Sequence, residues 1–160
     1  MLPDEDDKPL FTIGTAARIL AVSVATLRLY ERKGLLLVRK SKGNQRLYSK
    51  RDLERLRCIR SAINEHKISI EGIRRIHSMI PCWEYVNCPS EEKLACIAYN
   101  SPEMGCWTYK HQDNACSGRV CFDCKVYRLS SDCKDIKQMV YRRTLSTQAP
   151  ASRTLGDNEV

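Results

Sequence analysis

The order of apolar and polar positions in the first half of the chain predicts short helices. In the first two, apolar residues recur at the three- and four-residue spacing of one helical face. These positions are Ile13, Ala16, Ala17 and Leu20, then Val24, Leu27 and Tyr30. Ser23 is a favourable N-cap for the second helix, and Gly34 is a usual residue just beyond a helix end. A helix, a short turn and a second helix are therefore expected up to residue 34.

A basic hairpin is expected after the second helix. Two short extended runs, Leu35–Val38 and Leu47-Tyr48, flank a polar tip. Gly43 and Asn44 in this tip can take the positive φ of a tight turn. The region also contains cations that suit phosphates beside a DNA groove, namely Arg39, Lys40, Lys42 and Arg46.

Two further helical patterns complete the first half. Ser49 begins a third helix, with Asp52 completing a short-armed capping box. Ser69 begins a fourth helix, which Pro81 closes. The apolar stripes of these helices are Leu53, Leu56, Ile59 and Ile63, then Ile70, Ile73, Ile76 and Ile80. The order helix, turn, helix and basic hairpin predicts a winged helix-turn-helix, a fold that reads DNA.

The charge distribution points to the partner of this first half. The chain has a net charge of +8, and residues 11–80 hold 16 lysines and arginines against 5 acidic residues. Residues 81–128 hold 5 against 6. A basic first half beside a nearly neutral second half indicates a polyanion that binds the first half alone. Thr26 and Arg28 lie on the polar side of the second helix, where an exposed arginine can reach a guanine edge or a phosphate.

Several motifs in residues 11–80 resemble the MerR family of transcription regulators. The recognition-helix signature of that family is similar to TLRLYERKGLL at Thr26–Leu36. Its next motifs resemble Arg46–Ser49 followed by Asp52, Leu53 and Leu56, and its fourth-helix entry resembles Ile68–Ile73. The heat-shock-repressor branch is the most similar. The resemblance implies a homodimer that binds double-stranded DNA at a pseudo-palindromic promoter operator, with RNA polymerase as a further candidate partner.

The resemblance also adds residues to the candidate DNA interface. It places Tyr30 in the recognition helix and Asn44 and Tyr48 in the wing at the DNA. The full candidate set is Ser23, Thr26, Arg28, Tyr30, Arg39, Lys42, Asn44, Arg46 and Tyr48. The alternative for the two tyrosines is packing in the core, and the alternative for the arginines is a solvated face. Neither alternative is excluded by the sequence.

The second half concentrates cysteine in a short stretch. Seven of the nine cysteines lie between residues 81 and 128: Cys82, Cys88, Cys96, Cys106, Cys116, Cys121 and Cys124. The chain has no recognisable signal peptide and no apolar run of about 20 residues, so a cytoplasmic location is expected. In a reducing compartment, clustered thiols indicate metal binding or redox sensing rather than a disulfide framework. Cys58 is expected in the core of the third helix, and Cys133 is not expected to be a ligand.

The arrangement resembles a small module, built around two Cys-Trp pairs, that is sometimes appended to bacterial sensory proteins. Here the pairs are Cys82-Trp83 and Cys106-Trp107, and Cys121 and Cys124 form the strongest local unit, a Cys-x2-Cys. An iron–sulfur cluster takes four thiolates, and tetrahedral zinc also takes four. The seven cysteines are the candidate metal ligands, with an iron–sulfur cluster as the first hypothesis and zinc as the alternative. Thiol–disulfide switching without metal and simple burial of the thiols stay open.

The expected architecture is mainly α with a small β-wing. An acidic lead-in at residues 1–10 is expected to be disordered, and the winged helix-turn-helix covers 11–80. A loop-rich, metal-stabilised cysteine module covers 81–128, and a short helix with a disordered tail covers 129–160. Members of the family usually continue into a long dimerisation helix, but here Pro81 and the cysteines follow instead. A weak apolar stripe further along the chain predicts either a substitute dimerisation helix or a short helix that packs on its own domain. The stripe is Leu129, Cys133, Ile136 and Val140.

These features predict a DNA-binding transcription regulator whose cysteine module binds an iron–sulfur cluster or zinc and senses metal or redox state. One rival is a regulator in which zinc is only structural. A second rival is a cluster-bearing redox protein, but no catalytic constellation supports it, and no enzyme activity is expected.

Overall fold

The computed structural model describes residues 4–138. Its first half contains four helices and a small sheet. The helices are α1 (Ile13–Leu20), α2 (Val24–Arg32), α3 (Lys50–Asn64) and α4 (Ile70–Ser78). The predicted caps are present: the Ser23 hydroxyl accepts a hydrogen bond from the Thr26 amide, and Ser49 forms a capping box with Asp52. The mainly helical prediction with a small sheet is confirmed.

The sheet has three strands in the order β1-β3-β2, formed by Phe11–Thr12, Arg46–Tyr48 and Arg39–Lys40 respectively. Both pairings are antiparallel, and Asn44 takes the positive φ of the hairpin tip. The prediction of an extended run at Leu35–Val38 is wrong, because the second strand begins at Arg39. Leu35 and Leu36 are both buried in the core, and adjacent side chains of a strand would face opposite sides.

The core of the first half lies between the helices and one face of the sheet. Predicted apolar positions from α1, α2 and α3 fill it, together with the two leucines that follow α2. The buried residues are Ala16, Ala17, Leu20, Leu27, Tyr30, Leu35, Leu36, Tyr48, Leu53, Leu56, Ile59 and Ile73. The domain therefore has a continuous apolar interior of its own.

The second half contains short helices joined by loops. These are α5 (Cys82–Tyr85), α6 (Ser90–Ala95), α7 (Ile97–Asn100) and α8 (Lys125–Leu129). This loop-rich half nevertheless has an apolar core. Ile80, Val86, Trp107, Val126, Tyr127 and Ile136 form a buried apolar cluster, with Cys82 within it and other cysteines packed around it.

The described part of the acidic lead-in has a defined conformation, in contrast to the expected disorder. Glu5–Asp7 form one 3-10 turn. Asp7 accepts a hydrogen bond from Arg51 on α3 at 2.7 Å and pairs with Arg128 on α8 at 2.9 Å. The acidic residues therefore connect the two halves, which the sequence pattern did not indicate.

Near the C-terminal end, a helical segment runs from 133 to 138, where the described residues end. The predicted apolar stripe is only partly observed, since Leu129 belongs to α8 and Val140 lies outside the described residues. The tail expected after it also lies outside them. Cys133 forms a disulfide with Cys58 on α3, a pairing that the sequence analysis did not predict.

Between residues 4 and 138, no single helix is long and apolar enough to cross a membrane. Only α1 and α2 taken together reach the required length and composition, and they are bent by 104° relative to each other.

Candidate nucleic-acid interface and cysteine module

Helix α2 presents the polar side that was predicted to face DNA. Ser23 and Arg28 are exposed, and Thr26 is half-buried. The Ser23 and Thr26 hydroxyls lie 2.9 Å apart, which fixes the first turn of the helix. Within residues 4–138 Arg28 forms no ion pair, so its guanidinium is available to a phosphate or a base.

Arg28 and the hairpin tip line a common cleft. Its volume is about 380 Å³, and its remaining walls come from the start of α1. The lining residues are Thr12, Ile13, Gly14, Arg28, Asn44, Gln45 and Arg46. Lys42 and Asn44 at the tip are exposed. The recognition helix and the wing therefore present polar side chains to the same space, as contact with two neighbouring parts of a DNA groove requires.

Tyr30 and Tyr48 do not belong to this surface. Tyr30 is 6% exposed and Tyr48 is 0% exposed, and both pack in the core of the first half. Burial raises the pKa of Tyr48 to about 12. The core alternative considered for the two tyrosines is therefore the observed one, and their burial does not support DNA contact through their rings.

Arg39 and Arg46 already have protein partners. Arg46 donates a hydrogen bond to Glu31 at 2.6 Å, which fastens the wing to the recognition helix and raises the pKa of Arg46. Arg39 lies 4.0 Å from Asp52, and its guanidinium lies 4.0 Å from the centroid of the Phe122 ring. These two arginines position the wing, while Arg28 and Lys42 supply the exposed charge.

Comparison with known proteins identifies this region. Residues 11–79 match the model of the MerR HTH family regulatory proteins. Residues 11–79 form a MerR-family helix-turn-helix domain. The family prediction made from the recognition-helix and wing motifs is confirmed for this part of the chain. A search of the solved structures gave no match.

Three relatives illustrate the similarity of the MerR-family domain. It is 37% identical over 71 residues to heat shock protein HspR of Streptomyces coelicolor, over 44% of this chain and 47% of the relative. It is 30% identical over 76 residues to the HTH-type transcriptional regulator GlnR of Bacillus anthracis, over 48% and 58%. It is 42% identical over 59 residues to the mercuric resistance operon regulatory protein of Pseudomonas fluorescens, over 36% and 41%. The chain thus spans about half the length of the curated relatives it matches.

The cysteine module is attached to the segment between recognition helix and wing. The Trp107 indole donates a hydrogen bond to the Gly34 carbonyl at 3.0 Å, and the Leu37 amide donates to the Tyr127 hydroxyl at 2.8 Å. Gly34 has a φ of +72°, and a Cβ there would lie 2.7 Å from the Thr108 methyl group. The module therefore contacts the segment that joins α2 to the hairpin at several points.

Arg55 anchors the module on α3. Its side chain is only 2% exposed, and it donates hydrogen bonds to the Tyr127 carbonyl and, at 3.0 Å, to the Ser130 hydroxyl. Its guanidinium lies 3.9 Å from the centroid of the Tyr127 ring. Burial lowers the pKa of Arg55. The sequence reasoning missed this role, although an arginine at the apolar spacing of α3 is a signal that could have indicated it.

Four of the seven module thiols border one small cavity. This cavity of about 10 Å³ is lined by Cys82, Cys88, Cys96 and Cys116, together with Trp83 and His111. The Asn114 amide lies 3.7 Å from the sulfur of Cys96. Cys106, Cys121 and Cys124 lie outside that lining and, like Cys88 and Cys116, pack around the apolar cluster. The Cys-x2-Cys pair, the strongest unit in the sequence, is therefore not at the cavity.

The electrostatics of these thiols reflect their proximity. A hydrogen bond with Cys106 lowers the pKa of Cys82, and the same bond raises the pKa of Cys106. Burial, followed by the charges of Cys82 and Cys124, raises the pKa of Cys116 to about 11. Among the described side chains, however, no three cysteine, histidine or acidic groups are arranged to hold a metal ion. The conformation thus brings thiols together without forming a complete ligand set.

Proposed function

We propose that this chain is a DNA-binding transcription regulator in which the cysteine module adjusts the DNA-reading surface. The observation that carries the proposal is the attachment of the module at Gly34, Leu37 and Arg39, between recognition helix and wing. A shift of the module would move this segment and change the relation of Arg28 to the hairpin tip. The family of the domain supports DNA binding, a cytoplasmic setting and the absence of enzyme activity.

DNA contact is proposed for the candidates on the polar side of α2 and at the hairpin tip. Ser23, Thr26 and Arg28 would approach base edges and phosphates from α2, and Lys42 and Asn44 would approach the backbone from the wing. A homodimer on a two-fold related operator, with RNA polymerase as a further partner, is proposed from the family alone. The apolar stripe does not support a dimer helix, because Ile136 packs within the module.

The module is proposed to respond to metal binding at the four-cysteine cavity. Four thiolates are the number that a tetrahedral zinc ion requires, and each cysteine can redirect its sulfur by rotating one torsion angle. An iron–sulfur cluster also takes four thiolates and is the alternative occupant of the cavity. Cys82, Cys88, Cys96 and Cys116 would hold the ion, which would cross-link the short helices and loops of the module.

The first experiment tests DNA reading. Operators are selected from a random DNA pool with the full chain, and affinities are then measured at one fixed salt concentration. We expect Arg28→Ala to weaken operator binding by about tenfold or more, because one base or phosphate contact is lost. Lys110→Ala removes an exposed charge from the module and serves as the control, with operator affinity unchanged. Failure to select any DNA sequence would overturn the regulator assignment.

The second experiment tests metal binding by the module and its effect on operator affinity. Iron, sulfide and zinc are assayed on anaerobically purified protein together with a visible spectrum, and operator affinity is measured with and without the metal. Zinc at one ion per chain that is lost in Cys96→Ser and retained in Cys121→Ser would support the four-cysteine site. A broad band near about 400 nm with iron and sulfide would replace zinc by an iron–sulfur cluster. Equal operator affinity with and without metal would reduce the metal to a structural role.

A further inference from the structure

Two cysteines outside the module meet across the boundary between the two halves. Cys58 lies on α3 of the MerR-family domain, and Cys133 begins the helical segment 133–138. They are 75 residues apart in sequence, and the structure joins them in a disulfide with a Cα–Cα distance of 5.8 Å. That distance is usual for a disulfide, so the backbone positions bring the two thiols within reach.

The bridge continues a row of contacts along one face of α3. Arg55 lies one helical turn before Cys58 and therefore shares its face. Arg55 bonds to Tyr127 and Ser130, and Cys58 bonds to Cys133, three residues further along. The chain from α8 to the C-terminal segment thus follows α3 in register, and the bridge is the last of these contacts.

Beside the bridge, the C-terminal segment and helices α3 and α4 border a common cavity. This cavity has a volume of about 510 Å³, with Cys58 and Cys133 in its wall. Ala62 and Ile76 line the side of the helices, and Ile136 and Lys137 line the side of the segment. Atoms that border a cavity lack packing partners on that side. The bridge is therefore the covalent contact of the segment with α3, and Ile136 adds a buried apolar contact with the module cluster.

We propose that Cys58 and Cys133 form a reversible oxidation site that fastens the C-terminal segment, and with it the module, to the MerR-family domain. Cys133 is exposed, so small thiols and disulfides can reach it. In a reducing compartment a disulfide of this kind is transient and redox-sensing rather than permanent. The site takes a low-molecular-mass disulfide as its oxidant and the corresponding thiol as its reductant.

The exchange is balanced in two steps. One protein thiol loses its proton, and the thiolate attacks a sulfur of the small disulfide, which forms a mixed disulfide and releases one small thiolate. The second protein thiolate then attacks the protein sulfur of the mixed disulfide and releases the second small thiolate. The two protons from Cys58 and Cys133 pass to the two released thiolates. The protein pair loses two electrons, and the small disulfide gains them.

Oxidation state should therefore control the mobility of the segment. We expect amide hydrogen exchange in residues 127–138 to be about tenfold faster in the reduced protein, because local opening no longer has to break the bridge. A consequence for DNA, through the attachment of the module at Gly34 and Leu37, rests on the proposed function. The bridge and its effect on hydrogen exchange do not rest on it.

The test compares the full chain after treatment with reduced or oxidised glutathione. Free thiols are alkylated, and peptides are mapped by mass spectrometry before and after reduction. We expect a linked Cys58–Cys133 peptide after oxidised glutathione, with two molecules of reduced glutathione released per bridge, and its loss after reduced glutathione. Cys58→Ser and Cys133→Ser should each give fast exchange in 127–138 under both conditions. Ser61→Ala, on the same helix and in the wall of the same cavity, should keep the wild-type response.

Three results would overturn the proposal. They are no linked peptide in oxidised protein whose circular dichroism shows it to be folded, a bridge that resists reduced glutathione, or identical exchange in the two states. Operator affinity of the same samples separates this proposal from the proposed function. Affinity that is equal in both states would confine the switch to the C-terminal segment, whereas no operator binding in either state would count against the regulator assignment alone.

Discussion

The MerR-family domain and the cysteine module differ in how their helices begin. Side chains cap α1, α2, α3 and α4, through Thr12, Ser23, Ser49 and Ser69. No side chain caps α5, α6, α7 or α8. Because an N-cap satisfies backbone donors within the same stretch of sequence, the first set of helices is specified locally. The second set depends on contacts made far along the chain.

The two apolar clusters show the same difference. The cluster of the domain is surrounded by further apolar side chains, whereas cysteines form much of the surroundings of the module cluster. Several contacts that position the module come from the domain, namely Arg55 and the segment from Gly34 to Arg39. The domain therefore has helix caps and an apolar core within its own sequence, while the module also depends on contacts from the domain.

Removal of the Arg55 anchor should have the largest effect. Arg55→Ala leaves the Tyr127 carbonyl and the Ser130 hydroxyl without their donor and opens a cavity beside Tyr127. We expect the free energy of unfolding to fall by about 3 kcal/mol, measured by urea denaturation. Arg57→Ala, at an exposed position on the same helix, should change it by less than about 0.5 kcal/mol. A loss below about 1 kcal/mol for Arg55→Ala would show that the module does not depend on this anchor.

Acid should destabilise the contact between α4 and the module. His77 is 4% exposed and packs edge-on against Trp107, and burial, reinforced by Arg55, lowers its pKa from 6.5 to about 3. The unfolded chain takes up a proton near pH 6.5 while the folded chain does not, so stability falls as the pH drops from about 6.5 towards 3. We expect a loss of about 2 kcal/mol between about pH 7.5 and pH 5.

Thermal or urea unfolding at a series of pH values checks this expectation. His77→Leu should remove most of the acid-dependent loss of stability. His66 is exposed and lines the same cavity of about 510 Å³ as His77, so His66→Gln should keep the wild-type profile. An unchanged pH dependence in His77→Leu would mean that other groups cause the acid sensitivity.

Gly34 is a residue of the domain at which the module makes a close contact. Its φ of +72° is unfavourable for other residues, and an added Cβ would meet the Thr108 methyl group of the module at 2.7 Å. We expect Gly34→Ala to lower the melting temperature and cost about 1.5 kcal/mol. Gly14→Ala is the matched control, because nothing lies within 4 Å of its Cβ position and alanine favours the helix. Equal effects of the two substitutions would contradict the close approach of the module at Gly34.

The smallest effect is expected at the acidic lead-in. Asp7 pairs with Arg51 of the domain and Arg128 of the module, so Asp7→Asn weakens a partly exposed link between the two halves. We expect a loss of about 0.5 to 1 kcal/mol that shrinks at high salt, measured by thermal unfolding at two ionic strengths. Asp6→Asn should have almost no effect, since the pair between Asp6 and Lys50 is more exposed. A loss that does not respond to salt would argue against an electrostatic link.

The sequence predicted the domain well because its signals are local. The caps Ser23 and Ser49, the apolar spacing of α1 to α4 and the positive φ of Asn44 all act within a few residues. The extended run at Leu35–Val38 failed because two adjacent leucines are both buried, which periodicity does not distinguish from a strand. The basic charge of the first half and its motifs, which are also features of short stretches, indicated a DNA reader.

Long-range contacts account for what the sequence did not predict. Tyr30 and Tyr48 fit both a DNA surface and a core, and only the packing of α2, α3 and the sheet places them in the core. The spacing of Cys121 and Cys124 favoured them as ligands, but the fold places other cysteines around the small cavity. Cys58 and Cys133 are 75 residues apart, and no pattern in the chain connects them.

By itself, then, the sequence determined a MerR-type helix-turn-helix with a basic surface and a thiol-rich appendage, because helix caps, apolar periodicity and charge are encoded over short stretches. The tertiary structure decided where the appendage lies, which thiols become neighbours and which buried arginine and histidine face it. Those outcomes depend on packing between residues far apart in the chain, which local patterns do not encode.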